Sequence, residues 1–517
     1  MLRKIVSISL VLAVVLSFAV PGLAGDEPPV KISIALWDIE PDALNDDPIY
    51  KMICEKFNIE IDPIPLTWDD YTEKVNMWVN TLDIPDVFTT DLLPYYGPQY
   101  QRWVREGVIH AIPSDLSKYP NLKKIFEPDD VKQVAAIDGT FYCIPRGGEP
   151  CDGFGWWSAR TLIYRKDWAQ ALGLAEPANL YELADFVRAI LDSDPAGTGV
   201  KDIVGITAYD KGFLKDCLWP SIEPRPFASW QVEEDGTVTK AYDAPHSYEA
   251  ALAIRNMYNE GLIDPDIMVQ DTSAGSDKFA TNKAAVVCFQ ATDNWAWIFD
   301  PFTANNPDLN IEDCIGYIKP LRNVYDGNAY IWNGVGFWSE TYISADVDEV
   351  KLDRILRLAD YFASKEFIDI QKYGLEGEDY RREGDDIVYL TPDGARPNLL
   401  EKYRFLNGFG YAIIWPNLNE IINQYPYAIA LANEYRDWVN ANCTLTPTAF
   451  VFDTISTPLR EEFVDDSETA YFTFMLGKSG GDPRAEWDAM INALKAAGLD
   501  AMIEEVAEAA REAGLIK

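Results

Sequence analysis

The sequence predicts an α/β protein with mostly parallel sheets, divided into two to four domains or lobes. Three observations predict it. Strand patterns alternate with helix patterns from residue 30 onward, as in βαβ units. At 517 residues the chain is too long for a single small core. At Gly147–Gly155 (GGEPCDGFG) the composition shifts to Gly, Pro and Cys, which reads as a loop crossing between lobes.

Residues 1–24 read as a signal peptide and stand outside the fold. Arg3 and Lys4 give a positive start, Ile5 to Val20 is apolar, and Pro21 and Gly22 break it before the small residues Gly22 and Ala24 of the cut. A retained anchor is the alternative, although the run is short for a bilayer. No cysteine follows it, which argues against lipidation. The first strand is Val30–Asp38, where Ile32, Ile34 and Leu36 alternate onto one face. A helix follows over Tyr50–Phe57, then a strand at Ile59–Ile64 and a helix at Asp70–Asn80. Ile84–Phe88 is a buried strand entered through Pro85, and Tyr100–Gly107 is a helix. Asp138-Gly139 makes a hairpin turn before a strand at Thr140–Ile144. Past the crossing, Thr161–Tyr164 is a strand. Helices follow at Asp167–Leu172, Leu180–Asp192 (capped from Asn179), Ser247–Glu260 and Asp346–Ser364. Glu486–Ala513 is helical and interrupted at Gly498.

Composition narrows the function. With 83 acidic and 44 basic side chains the formal net charge is −39. Such a surface repels phosphate backbones and anionic headgroups, which excludes nucleic acid and membrane-surface partners. The 48% hydrophobic content excludes a disordered acidic chain. Sixteen Trp and 27 Tyr suit a partner with flat apolar faces, and sugars fit. The seven cysteines are too scattered for a disulfide framework and read as small buried hydrophobes, although Cys143 and Cys151 can close a small loop. Two distant histidines and no CxxC leave no zinc site.

Several segments, in order along nearly the whole chain, resemble one family. Asp70-Tyr71-Thr72-Glu73-Lys74-Val75-Asn76 with Leu82-Asp83-Ile84-Pro85-Asp86-Val87 resembles its Y-x-x-K-x-N … G-D-x-P-D-I stretch. Gly107-Val108-Ile109 leading to Ile112-Pro113-Ser114-Asp115-Leu116 resembles G-L-I-x-P-L-D, and Asp138-Gly139-Thr140-Phe141-Tyr142-Cys143-Ile144-Pro145 resembles D-G-K-x-Y-G-I-P. Leu162-Ile163-Tyr164-Arg165-Lys166-Asp167-Trp168 is similar to L-x-Y-R-K-D-W, and Lys278 to Trp297 resembles F-x-x-G-K-A-A-M … W-x-W. The chain thus resembles the extracellular solute-binding proteins of carbohydrate ABC transporters, within the maltose-binding-protein-like superfamily, and especially its long oligosaccharide-binding members. The resemblance implies a two-lobed periplasmic-binding-protein-like fold (type 2), its lobes joined by crossing hinge strands around a ligand cleft. Boundaries on this reading fall at 25–145 and 331–400 for the N-lobe, and at 146–330 and 401–517 for the C-lobe.

A sugar cleft pairs aromatic faces with carboxylates, amides and guanidinium groups. Trp37 ends the first strand, where α/β sheets place ligands, with a core position as the alternative. Asp91 follows a strand and can accept hydroxyls, with a helix cap as the alternative. Arg146 can donate to the solute or pair with an acid. Of Trp156 and Trp157, which cannot both face one way in extended chain, one can meet the cleft. The resemblance implies an acidic sugar ligand at Glu149, with a solvated loop acid as the alternative, and Trp295 as the stacking residue beside Asp293 with Trp297 in the core. It also implies a cleft position for Trp332 and Asn333, with a buried Trp beside a structural turn as the alternative. Some long relatives carry a calcium loop. Here the matching stretch, Asp194 to Ile203, has Ala196 and Ile203 at ligand positions, so too few oxygens remain and no metal or other cofactor is expected.

The expectation is an exported, non-catalytic, monomeric, unlipidated protein that captures an oligosaccharide and delivers it to a membrane permease. The periplasm is favoured, and the acidic surface disfavours a polyanionic solute such as a uronate. The alternatives are an exported glycoside hydrolase, a transport-independent lectin, or a binder of peptides or other small solutes. No GxSxG, P-loop or HExxH motif supports an enzyme.

Overall fold

The computed structural model describes residues 28–516, apart from 38, 94–95, 148–159, 196–202, 292–295, 333–334, 385, 407, 410–424, 447, 466 and 478–480. Two sheets frame the site. In chain order their strands are β1 (Val30–Trp37), β2 (Ile59–Leu66), β3 (Val87–Thr90), β4 (Ile144–Arg146), β5 (Arg160–Arg165), β6 (Val204–Ala208), β7 (Ala284–Gln290), β8 (Ile315–Ile318) and β9 (Ser339–Ile343). The first sheet runs β2-β1-β3-β9-β4 and the second β8-β5-β7-β6.

Both sheets are mostly parallel, as expected, with one reversed strand in each, β9 in the first and β5 in the second. β1 is parallel to β2 and β3, and β7 to β6. β9 is antiparallel to β3 and β4, and β5 to β7 and β8. The crossings between the sheets explain this. β5 and β9 are each the first sheet strand after the chain changes sheets, so they start at the edge where the parallel strands end and must run the other way.

Each sheet is covered on both faces, which is why β7 and β8 are buried at every residue rather than alternating. The first sheet packs Ile32, Ile34 and Ile343 against Ile355 and Ala359 of the helix Glu349–Phe362. The second packs Ile206 and Val286 against Leu183 and Val187 of Leu180–Ser193, with Val506 and Ala510 from the last helix. At the outer edge of the first sheet, Pro63 and Pro65 stand two apart in β2. Both therefore turn a backbone without N–H the same way, which blunts that edge.

Local chemistry sets the ends of these elements. Asn179 accepts from the Tyr181 and Glu182 N–H groups at 3.0 and 3.1 Å and so starts the helix Leu180–Ser193. Asp138 and Gly139 both have positive φ, 49° and 77°, as the hairpin turn needs. Gly498, at φ 105°, divides the C-terminal helices Pro483–Ala496 and Leu499–Glu512. The strand expected over Ile84–Phe88 begins only at Val87, and the one expected over Thr140–Ile144 splits into Thr140–Phe141 and β4.

A short 3₁₀ segment, Phe450–Thr454, joins the two bodies: Phe450 packs on the core of the first sheet and Phe452 in that of the second. Gly97, opening the helix Gly97–Glu106, lies against this segment. A β-carbon there would run into the Asp453 carbonyl and the Thr454 Cα. Gly97→Ala is expected to lower the thermal midpoint, by about 1–3 kcal/mol of lost stability, as read by calorimetry.

Candidate ligand-binding cleft

The carboxyl ends of the parallel strands from both sheets open on one cavity of about 670 Å³, the place where α/β sheets hold ligands. Trp68 follows β2, Asp91 follows β3, Tyr209 and Asp210 follow β6, and Gln290 ends β7, and all five line it. Arg160, first residue of the reversed β5, lines the same edge.

One wall is a stack of aromatic rings from the first body. Trp37 and Trp68 lie parallel, centroids 4.8 Å apart and planes 6° apart. Trp338 tilts against both, at 5.5 and 5.8 Å, and Tyr71 meets Trp37 edge-on at 5.1 Å. Behind the stack, the Arg146 guanidinium lies 5.4 Å from the Trp37 ring and 5.2 Å from that of Trp338. The facing wall comes from the second body. Tyr209 contacts Phe213, Phe289 and Trp297 at 5.0, 5.6 and 6.0 Å. Trp68 and Trp297 meet across the cavity at 6.4 Å and 63°.

Polar groups fill the gaps between rings. Burial pushes the Asp91 carboxyl up to about 6, against a hydrogen bond from Tyr71 that works the other way. Arg160 and Asp216 form a buried pair at 3.4 Å, and burial also raises the Asp216 carboxyl. Lys240 sits 3.5 Å from Asp465, and burial lowers its ammonium. Asp453 on the joining segment is raised by burial and stands 3.5 Å from Arg460.

Among the ten residues that the sequence reading proposed, Asp91 and Trp332 line the cavity. Asp91 follows a strand as expected and caps no helix. Trp37 is buried at 4% exposure behind Trp68, because the parallel stack covers its face. Arg146, at 1% exposure, is likewise sealed behind Trp37 and Trp338 and donates to the Ser339 hydroxyl at 3.0 Å. Both back the wall instead of forming it. Glu149, Trp156, Trp157, Asp293, Trp295 and Asn333 lie outside the described residues. Trp297 is a correction: expected in the core, it is 40% exposed and lines the cleft, because the helix Ala296–Asn305 starts there and turns it out.

The sequence reading did not single out Trp68, Tyr209, Phe213 or Trp338. The strand-end rule that flagged Trp37 applies equally to Trp68, two residues past β2, and to Tyr209, directly after β6. Of the stretch considered for calcium, residues 196–202 lie outside the described set. Among the described residues no three His, Cys, Asp or Glu side chains are placed to hold a metal. Cys143, Cys288 and Cys314 are buried and unpaired by disulfides, and Cys151 is not described.

Two bodies closing around an aromatic cleft define a two-lobed solute receptor. The comparisons agree. The model of a family described as bacterial extracellular solute-binding protein matches residues 49–369, and the chain belongs to that family. It is 25% identical over 385 residues to the polygalacturonan/rhamnogalacturonan-binding protein YtcQ of Bacillus subtilis (strain 168), covering 72% of this chain and 71% of that protein. It is 21% identical over 360 residues to lipoprotein LipO of the same organism, covering 68% and 67%. The alginate-binding protein AlgQ2 has the same fold: its crystal structure without calcium ion superposes with a TM-score of 0.70 at 17% identity, over 93% of this chain and 98% of that one. So has the substrate-binding protein FusA of a S. pneumoniae ABC transporter, in complex with kestose, at 0.69 and 18% over 94% and 99%. Among the described residues no helix is long and apolar enough to cross a membrane.

Proposed function

We propose that this protein captures an oligosaccharide between its two lobes and hands it intact to the permease of an ABC importer. The observation that carries the reading is the pair of facing aromatic walls, Trp68 on one lobe and Trp297 on the other, with carboxylates and cations between them. Sugar C–H faces pack on such rings, and sugar hydroxyls bond to such charges. The relatives named for polygalacturonan and alginate, and the one solved with kestose, support a carbohydrate as the solute.

On this reading the protein is exported, works as a monomer, uses no cofactor or calcium, and turns nothing over. An unlipidated form is part of this reading, supported by the lack of a cysteine directly after the apolar run Ile5 to Val20. That favours retention in a periplasm. A thermal-shift screen against oligosaccharides and peptides tests the reading, with each hit recovered and checked for cleavage. A saccharide at about a hundred times its Kd is expected to add about 2.7 kcal/mol of stability and to be recovered whole. Consumption of the hit would replace the receptor with a hydrolase, and a response to peptides alone would replace the sugar.

A further inference from the structure

We infer that the cleft selects oligosaccharides of uncharged rings and rejects polyuronates. The inference rests on the sugar-capture reading above and adds the charge class of the ligand.

The described lining holds six carboxyl groups, Asp91, Asp210, Asp216, Asp453, Asp465 and Glu468, against three cations, Arg160, Lys215 and Lys240. All three cations are already engaged. Arg160 Nε lies 3.4 Å and Lys215 Nζ 3.9 Å from the two oxygens of Asp216, and Lys240 Nζ lies 3.5 Å from Asp465. Their charged ends are also turned onto rings. The Arg160 guanidinium is 3.6 Å from the Phe213 centroid, and Lys240 is 5.1 Å from that of Trp230. Among the described residues, Asp91, Asp210 and Glu468 have no Lys or Arg at ion-pair distance. Two further cations stand near the walls and both are buried: Arg146 is closed off behind Trp37 and Trp338, and Arg460 is paired with Asp453 at 3.5 Å and lies over the Trp230 ring.

A uronate brings one carboxylate per ring. Holding it calls for a free guanidinium fork or ammonium, and here each such group would first have to leave its own acid. Within low-dielectric walls, like charges a few ångströms apart repel far more than in water. A neutral ring meets the opposite situation. Its hydroxyls donate, and the lining is rich in carboxylate acceptors whose bonds to such donors are strong. The same set of residues therefore rewards hydroxyls and penalises carboxylates.

Isothermal titration of the purified protein, in low-salt buffer near neutral pH, tests this. The probes are tetragalacturonate, its fully methyl-esterified form, and uncharged tetramers of galactose, mannose, glucose, xylose and fructose. At least one uncharged oligomer is expected to bind about tenfold or more tighter than tetragalacturonate. Glu468→Lys, at the cleft lining, is expected to narrow that ratio at low salt and to restore it in about 0.5 M salt, where screening is strong. Tetragalacturonate binding more tightly than every uncharged probe, its ester included, would overturn the inference and leave sugar capture standing. So would a ratio unmoved by Glu468→Lys at low salt. No binding by any saccharide would remove the sugar-capture reading, and this inference with it.

Discussion

Alanine at Trp68 or at Trp297 is expected to weaken oligosaccharide binding by about thirtyfold or more, the cost of losing an aromatic anchor worth about 2 kcal/mol. The two residues come from different lobes and meet at 6.4 Å, so a sugar ring enters by parting them and then lies on both. Their losses are expected to be coupled. Once one face is gone the ring is held on one side only, and the double variant should fall short of the sum. Stability separates the two. Trp297 is 40% exposed, so its removal should leave the unliganded thermal midpoint close to the parent's. Trp68 is half-buried and stacked on Trp37 at 4.8 Å, so its removal also loosens the wall, and Trp68→Phe is the control that keeps a ring in the stack. Titration calorimetry with the best ligand and thermal unfolding without it read the two effects independently. If both single variants bound like the parent, the aromatic walls would not be the ligand surface.

The fold was legible in the sequence where periodicity and caps agree. The alternation of Ile32, Ile34 and Leu36, the cap at Asn179, the turn at Asp138-Gly139 and the break at Gly498 each point to the element that forms. The one reversed strand in each sheet was not legible, because its direction depends on which end of a sheet the chain enters after a crossing, and no local pattern records that. At the site, the strand-end rule located the right edge of the first sheet but not which aromatic faces outward. Trp37 and Trp68 end neighbouring parallel strands, and their stacking decides that Trp68 is wetted and Trp37 covered. Trp297 was misread because the resemblance implies a core position for it, whereas it opens the helix that begins at Ala296 and stands 40% exposed in the cleft. Arg146 reads from sequence as a donor to solute or a partner for an acid, and only its packing behind two indoles shows where its charge goes.

Replacing Glu340 by Gln is expected to flatten the pH dependence of stability between about pH 5 and 9. Glu340 lies in β9, an inner strand of the first sheet, with 0% exposure. One carboxyl oxygen accepts from the Leu92 N–H at 2.9 Å and from the Tyr342 hydroxyl at 3.1 Å. Burial pushes this group from 4.5 up to about 8, and the nearby Asp91 adds to the rise, while the Leu92 and Leu93 N–H groups and the Tyr342 hydroxyl oppose it. The opposing charge is Arg146, itself lowered to about 9 by burial and partly restored by Glu340; Tyr100 and Cys143, which also face the carboxyl, are raised well above their ordinary values. A carboxyl raised in the folded state contributes stability that is complete below its unfolded value of 4.5 and is lost as pH rises through 8. At about 1.4 kcal/mol per unit the loss amounts to about 4–5 kcal/mol. Glutamine keeps the acceptor for Leu92 and cannot ionise, so Glu340→Gln should exceed the parent in midpoint above pH 8 and lose the advantage below pH 5. The rest of the acidic surface titrates in both proteins and cancels in the difference. Parallel midpoint curves across that range would mean that Arg146 holds Glu340 ionised in the folded core. The outcome reaches the cleft as well, because the Leu92 N–H that Glu340 holds belongs to the turn carrying Asp91 into the ligand wall.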